Sequence, residues 1–202
     1  MYRPRVKICC ISSIEEAQLA IQFGADALGL VGKMPSGPGP ISDELIAEII
    51  KTIGPPIASF LLTSETNANA IVAHQKKVNA NTIQIVDALK EGTYDAIKKA
   101  LPNVYIVQVI HVIDTHSIEE AKQIAKHVDA ILLDSGNPNK AVKELGGTGR
   151  THNWDLSKAI VESVHVPVFL AGGLNSTNVV EAIHKVKPYG VDLCSSVRTN
   201  GK

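Results

Sequence analysis

Residues 104–134 of this 202-residue chain read V-Y-I-V-Q-V-I-H-V-I-D-T-H-S-I-E-E-A-K-Q-I-A-K-H-V-D-A-I-L-L-D. Two apolar runs, Val104–Val112 and Asp129–Leu133, flank a segment whose apolar residues recur at helical spacing. The segment predicts a helix that starts at Ser117, because a hydroxyl followed by two glutamates is similar to a capping box. Near-continuous apolar runs are typical of strands covered on both faces, and two strands joined through a helix run parallel. The stretch therefore predicts one β-α-β unit of a parallel sheet.

The same alternation extends along the whole chain. The apolar runs are Val6–Cys10, Asp26–Val31, Ile57–Leu62, Thr82–Val86, Val104–Val112, Asp129–Leu133, Val166–Ala171 and Val191–Cys194. Amphipathic stretches fill the gaps, with Ser13 and Ser42 as predicted N-caps and Gly24 as the end of the first helix. Eight strands alternating with seven helices predict one domain over residues 1–202, a (β/α)8 TIM-type barrel with a parallel sheet. An open doubly wound sheet is the alternative, although no G-x-G-x-x-G follows the first strand.

The last helix of such a barrel is apparently missing or truncated, because the sequence reaches Lys202 soon after the eighth apolar run. Without that helix, we expect apolar surface to be exposed between the first and seventh helices.

Composition excludes several classes of function. Lys+Arg and Asp+Glu both number 20, so no broad basic field favours nucleic acid or an anionic membrane. Three cysteines without framework spacing predict reduced thiols in a cytoplasmic protein. Neither these cysteines nor the histidines have metal-ligand spacing, and we expect no metal and no cofactor. The expected partner is a small phosphorylated substrate, and the expected state is a monomer or a homodimer.

Catalytic groups of a barrel lie where strands end and the following loops begin. The polar or small residues at these ends are Cys9 and Cys10, Asp134, the pair Gly172-Gly173, and the pair Ser195-Ser196. Glycines after strand 7 and hydroxyls after strand 8 suit a phosphate, because glycine lets backbone N–H groups approach an oxyanion. A plain tight turn at Gly172-Gly173 is the alternative.

A second glycine cluster, Gly146–Thr151, lies in the long loop after strand 6. Loops of this length often act as lids over a site. Gly147 and Arg150 of this cluster are candidate ligands of an anion, although an exposed arginine is also compatible with simple solvation.

Several motifs together resemble the phosphoribosylanthranilate isomerase family. Val6–Cys9 is similar to its opening V-K-I-C, and Leu132–Ser135 to its L-L-D-T. Gly146–Trp154 resembles its G-G-S-G-K-T-F-D-W, and Leu170–Asn175 its S-G-G-L-N/T. The stretch around Val191-Asp192 resembles its V-D-V-S-S-G-V-E. The matches run in order over essentially the whole chain, and the motifs after strands 1, 6 and 7 are the most specific in combination.

This resemblance implies an Amadori rearrangement of an N-phosphoribosyl arylamine, in which an aminoaldose becomes an aminoketose. It assigns Cys9 as general base and Asp134 as general acid. The base must reach the thiolate form, which a cation such as Lys7 favours, and desolvation would keep the acid protonated. Strand alternation predicts that only one of Cys9 and Cys10 points into the barrel, and the resemblance selects Cys9. The predicted phosphate and substrate ligands are Gly172, Gly173, Asp192, Ser195, Ser196, Gly147, Arg150 and Lys33.

The sequence also departs from the family pattern. The loop after strand 2 lacks the arginine that meets the substrate carboxylate, and Lys33 is its only cation. The family's Q-L-H-G reads Gln84–Asp87 here, without the histidine. Three further motif positions differ. Cys10 stands where the family has glycine after the base, Ser196 stands where it has glycine, and Arg198 stands where it has glutamate. Two alternatives therefore stay open, namely a barrel enzyme for another phosphorylated substrate and a barrel that binds a ligand without catalysis.

Overall fold

The computed structural model describes residues 3–147 and 149–198. Within them, eight strands alternate with seven α-helices, and the (β/α)8 barrel predicted from the sequence is confirmed. The elements are β1 Arg5–Ile8, α1 Ile14–Gln22, β2 Ala27–Val31, α2 Asp43–Thr52, β3 Ala58–Thr63, α3 Ala68–Val78, β4 Thr82–Ile85, α4 Tyr94–Ala100, β5 Tyr105–His111, α5 His116–Ile124, β6 Ala130–Asp134, α6 Trp154–Ser163, β7 Val168–Leu170, α7 Val179–Val186, β8 Gly190–Leu193 and a short 3₁₀ helix Ser195–Val197.

Each strand pairs in parallel with the next, and β8 returns to pair with β1. The closing register places Lys7 opposite Asp192 and Ile8 opposite Leu193. Because all eight strands of the described chain run in one direction, their carboxyl ends share one rim. The residues predicted for the site follow β1, β2, β6, β7 and β8, and so they all start from that rim.

Side-chain alternation divides each strand between two cores. In β5, Val107 and Val109 pack inside the barrel, whereas Ile106 and Ile110 face the surrounding helices. Burial on both faces explains why the sequence of this strand is almost continuously apolar. The interior face continues upward to His111, which is 7% exposed at the rim.

Most of the predicted helix boundaries hold. Ser13 and Ser42 cap α1 and α2 with their side-chain oxygens, and Gly24 follows α1 in a positive-φ conformation. The predicted cap at Ser117 is wrong, because α5 begins at His116. Ser117 is buried, and its hydroxyl donates to the carbonyl of His111 at 3.3 Å. The hydroxyl binds a strand carbonyl instead of a helix amide.

After β8, the described residues contain only the 3₁₀ helix and no eighth α-helix. Leu19 of α1 is 54% exposed and Val180 of α7 is 61% exposed. Apolar surface between these two helices stays a prediction. None of the described helices combines the length and the apolar composition that a membrane span needs.

At the opposite rim of the barrel, two acidic side chains accept hydrogen bonds from strand amides. Asp26 accepts a hydrogen bond from the amide of Val6 at 2.8 Å, and it pairs with Arg3 and Arg5. Asp129 accepts in the same way from the amide of Ile106 at 2.8 Å. Burial raises the pKa of Asp26, but the Val6 amide and the two guanidinium groups outweigh it and hold that pKa below its ordinary value.

We predict that Asp26→Asn lowers the free energy of unfolding by about 1 kcal/mol at pH 7, because it weakens a charge-assisted bond to the first strand. A depressed folded-state pKa contributes stability above the unfolded-state pKa of about 3.9, and that stability is lost as the pH falls through the folded-state pKa. Urea unfolding from pH 3 to 7 should therefore show the difference from wild type shrinking at the acid end. Asp95→Asn, at an exposed carboxylate without an ion pair in the described structure, is the control. A difference that is equal at pH 3 and pH 7 would contradict the prediction.

Candidate active site

A cavity opens at the carboxyl ends of the strands, in the mouth of the barrel. Seven of the ten predicted site residues are among its lining residues. It is formed by Cys9, Cys10, Val31, Met34, Ser36, Gly37, Pro38, Leu62, Gln84, Val86, Leu132, Asp134, Leu145, Gly146, Gly147, Gly149, Ala171, Gly172, Gly173, Leu174, Asp192, Cys194 and Ser195.

The floor beside Cys9 is charged. Lys7 is fully buried, and its Nζ lies 2.9 Å from Oδ2 of Asp192 and 5.2 Å from the centre of the Phe60 ring. Lys7 and Cys9 both contact the space above Gly29, where a Cβ would lie 3.0 Å from Nζ and 2.9 Å from Sγ. Burial lowers the pKa of Lys7, but the charges of Asp192 and Cys9 outweigh it and raise that pKa above its ordinary value. Lys7 is thus a fixed cation beside Cys9.

The two carboxylate oxygens of Asp192 differ in their hydrogen bonding. Oδ2 accepts from Lys7, whereas Oδ1 is buried and has no hydrogen-bond partner in the described part of the chain. Asp192 also lines the cavity, and the hydrogen-bonding capacity of its Oδ1 is unused among the described residues.

Asp134 is 7% exposed at the end of β6. Its Oδ1 accepts from the amide of Ser135 at 2.7 Å, and a Cβ at Gly146 would come within 2.9 Å of its Oδ2. Burial raises the pKa of Asp134, although the Ser135 amide and the charges of His111 and Lys7 act in the opposite direction. The carboxyl is therefore suited to hold a proton to higher pH than an ordinary aspartate.

The two glycines after β7 line the cavity with backbone whose amides are unpaired among the described residues. Gly172 and Gly173 have φ values of 81° and 62°, and a Cβ at Gly173 would lie 2.6 Å from the carbonyl carbon of Arg150. In the part of the chain that the structure describes, the amides of both glycines have no hydrogen-bond acceptor. Ser195 lines the same cavity from the end of β8. Two open amides and a hydroxyl are the groups that a phosphate needs.

Both adjacent cysteines line the cavity, so the prediction that only one of them points inward is wrong. Strand alternation does not extend this far, because β1 ends at Ile8 and Cys10 adopts a left-handed conformation with φ of 64°. The turn directs the thiol of Cys10 back over the barrel mouth.

Three predicted ligands lie away from the cavity. Lys33 is exposed, Ser196 is exposed on the 3₁₀ helix, and the guanidinium of Arg150 pairs with Glu144. Gly147 does line the cavity, whereas Thr148 of the same cluster falls outside the described residues. Among the described lining residues there is no lysine or arginine.

Sequence reasoning did not predict two further polar residues, Gln84 and His111, as part of the site. Gln84 lines the cavity, and its buried Oε1 has no partner in the described structure. His111 is opposite Asp134 in the sheet register, and its Nε2 lies 3.1 Å from the carbonyl oxygen of Val86. A polar residue on the inward face of an otherwise apolar strand was the available signal in both cases.

The fold and the cavity define a (β/α)8-barrel protein whose mouth holds a buried carboxyl, a thiol and a glycine turn. A family model described as N-(5'-phosphoribosyl)anthranilate (PRA) isomerase matches residues 6–202. N-(5'-phosphoribosyl)anthranilate isomerase of Methanocella arvoryzae is 35% identical over 193 residues, which cover 96% of this chain and 88% of that protein. The chain belongs to the phosphoribosylanthranilate isomerase family.

Solved structures of the family superimpose on the barrel. Phosphoribosyl anthranilate isomerase from Thermotoga maritima has a TM-score of 0.81 at 28% identity, covering 99% of this chain and 92% of its own. An isomerase in complex with reduced 1-(o-carboxyphenylamino)-1-deoxyribulose 5-phosphate has a TM-score of 0.78 at 26% identity, with coverages of 99% and 92%.

We predict that Lys7→Met lowers the free energy of unfolding by about 3–5 kcal/mol, because it leaves the buried Asp192 carboxylate without its counter-charge. The double variant Lys7→Met/Asp192→Leu should recover most of that loss, since it removes both charges. Lys122→Met, which breaks an exposed pair with Glu119, should change stability by no more than about 0.5 kcal/mol. The measurement is urea unfolding at pH 7. Equal effects of Lys7→Met and Lys122→Met would contradict the role of the buried pair.

Proposed function

We propose that this chain isomerises N-(5'-phosphoribosyl)anthranilate to the corresponding 1-deoxyribulose 5-phosphate. The observation that carries the proposal is the meeting of Cys9 and Asp134 in one cavity with the open amides of Gly172 and Gly173. Membership of the family and the product-like ligand of a solved relative support it. Rescue of a tryptophan auxotroph that lacks this isomerase is the direct test.

Asp134 is the proposed general acid. Ring opening of the ribose requires a proton on the ring oxygen, and a buried carboxyl with a raised pKa supplies it. After the transfer, Asp134 is a carboxylate that faces the charge of Lys7 across the barrel. The products of the step are the open-chain Schiff base and the ionised acid.

Cys9 is the proposed general base. Its thiolate takes the proton from the carbon next to the Schiff base, and the resulting enolamine tautomerises to the aminoketose. The buried Lys7 cation lies beside Cys9 and does not line the cavity itself. No metal or redox cofactor takes part in this proton-transfer sequence.

The remaining groups hold the substrate. Gly172, Gly173 and Ser195 are the proposed phosphate ligands, and Oδ1 of Asp192 accepts from a sugar hydroxyl. Gly147 closes the cavity from the loop after β6. Substrate roles for Lys33, Arg150 and Ser196 stay predictions, since their side chains lie outside the cavity lining.

One observation favours a second candidate, an isomerase-like barrel for a phosphorylated substrate without an aromatic carboxylate. No cation lines the described cavity, and the nearby lysine of the β6 loop, Lys143, is paired with Asp87. The described lining of the cavity therefore offers a carboxylate no cationic partner. The predicted cytoplasmic location and the choice between monomer and homodimer remain predictions. One solved structure is of monomers generated from the dimeric phosphoribosylanthranilate isomerase of Thermotoga maritima.

We predict that Asp134→Asn lowers kcat/KM by on the order of 100- to 10,000-fold, and Cys9→Ser by a similar factor, because each removes one proton-transfer group. In wild type, kcat/KM should fall at high pH as Asp134 ionises, and its raised pKa moves that limb upward from the range of an ordinary aspartate. The limb should be absent from the residual activity of Asp134→Asn. Asp155→Asn, on the exposed start of α6, is the matched control and should retain activity. A limb that persists unchanged in Asp134→Asn would exclude Asp134 as the acid.

We predict that the wild-type enzyme binds the substrate carboxylate weakly and that Ser36→Arg lowers KM. A missing bond to a charged group costs roughly 1.5–3 kcal/mol, or on the order of 10- to 100-fold in affinity. Ser36 lines the cavity in the β2 loop without a positive φ. Gly37 and Gly39 are poorer sites, because both have positive φ and a Cβ at Gly39 would lie 2.6 Å from that of Cys10. Ser36→Met is the uncharged control, and steady-state kinetics is the measurement. An equal KM for both variants would refute the charge argument.

A further inference from the structure

All three cysteines of the chain meet in the barrel mouth. The Sγ atoms of Cys10 and Cys194 lie 2.9 Å apart, and those of Cys9 and Cys10 lie 3.9 Å apart. The reaction proposed above uses only Cys9. The contact between the other two thiols therefore needs an explanation of its own.

Barrel closure brings the two thiols together. Strands β1 and β8 are neighbours, and the amide of Cys9 donates to the carbonyl of Leu193 at 2.8 Å, which places Cys194 beside the β1 loop. Cys10 holds a left-handed conformation that favours glycine, and the family motif has glycine there. The guanidinium of Arg198 donates to the Cys10 carbonyl and pairs with Glu16 at 3.1 Å. The Cys10 backbone is thus held in the conformation that aims its thiol at Cys194.

The two thiols differ in their readiness to react. The hydrogen bond that they share lowers the pKa of Cys194 and raises that of Cys10. Burial and the charge of Asp192 raise the pKa of Cys194, whereas the charges of Arg198 and Lys7 lower it, and the net pKa of Cys194 is below its ordinary value. Both thiols belong to residues of the cavity lining, but Cys194 is half-buried whereas Cys10 is only 4% exposed. An accessible, anion-stabilised thiol next to a second, shielded thiol is the arrangement of a reactive and a resolving cysteine.

We propose that Cys10 and Cys194 form a thiol-oxidation site for a peroxide, and that the disulfide closed there reversibly lowers catalysis at the neighbouring Cys9. The catalytic half of this inference rests on the proposed function, whereas formation of the disulfide does not.

The chemistry balances with hydrogen peroxide as the oxidant. The Cys194 thiolate attacks one peroxide oxygen, so that an S–O bond forms, the O–O bond breaks and hydroxide leaves to become water. Cys10 then loses its proton and attacks the sulfur of the Cys194 sulfenic acid, so that the S–S bond forms and a second hydroxide leaves as water. Two thiols and one peroxide yield one disulfide and two waters, and the two sulfur atoms supply the two electrons. A dithiol reverses the step by exchange.

The disulfide would disturb the proposed site from two sides. Cys10 directly follows Cys9, and Cys194 directly precedes Ser195, which lines the cavity. The link would join the β1 and β8 loops and shift the base relative to the phosphate. Because misplacement on the scale of 1 Å can cost about 100-fold in rate, we expect kcat/KM to fall on the order of 10- to 100-fold.

Peptide mapping tests the oxidation site. Reduced protein is treated with one molar equivalent of hydrogen peroxide and digested with trypsin, which places Cys194 on a different peptide from Cys9 and Cys10. The expected product has lost two hydrogen atoms and links Cys194 to Cys10, as located by fragmentation. Cys9→Ser should give the same link, and this arm holds even if the chain does not turn over phosphoribosylanthranilate. A link that includes Cys9, or no disulfide, would overturn the proposal.

Kinetics tests the consequence. Oxidised wild type should lose kcat/KM by the factor given above and regain it with dithiothreitol, whereas Cys194→Ser and Cys10→Ser should keep their own reduced activity after the same treatment. A mapped Cys10–Cys194 disulfide with unchanged kcat/KM would overturn the regulatory part. Absence of turnover in reduced wild type would instead overturn the proposed function, and the mapping in Cys9→Ser would still decide the oxidation site.

Discussion

The buried ion pair between Lys7 and Asp192 lies where the first and last strands close the barrel, and the mouth depends on it. The two residues are direct partners in the β1–β8 register, and their charged atoms are 2.9 Å apart. A lysine with no exposed surface is tolerated only with such a partner. The pair brings a cation beside Cys9 and leaves the second oxygen of Asp192, a residue of the cavity lining, without a hydrogen-bond partner in the described structure. One electrostatic constraint thus joins closure of the fold to the chemistry of its open end.

The two proposed catalytic groups lie in different surroundings. Burial favours the protonated form of Asp134, as an acid requires, whereas Cys9 lies beside the buried Lys7 cation. The arrangement separates acid and base by environment rather than by residue type alone.

Glycines in the loops complete the site, because they have no side chain. Gly146 lets the β6 loop pass over Asp134, and Gly173 lets the backbone at Arg150 pack against the turn after β7. These contacts leave no room for a Cβ, and the open amides of Gly172 and Gly173 depend on the same conformation. The loop after β2 contributes small and apolar groups to the cavity, which is why recognition of a carboxylate is the weakest part of the proposed activity.

Local patterns determined the order of strands and helices, because alternation of apolar runs and helical periodicity is a property of neighbouring residues. Motifs at strand ends likewise pointed to Cys9, Asp134 and Gly172-Gly173, since parallel strands bring their carboxyl ends to one rim. Tertiary structure alone decided which oxygen of Asp192 is free, that Lys7 is its partner, and that Cys10 turns toward Cys194. It also directed Lys33 and the Arg150 side chain away from the cavity and Ser117 toward a strand carbonyl. These outcomes depend on contacts between residues far apart in the chain, and such contacts form only when the barrel closes.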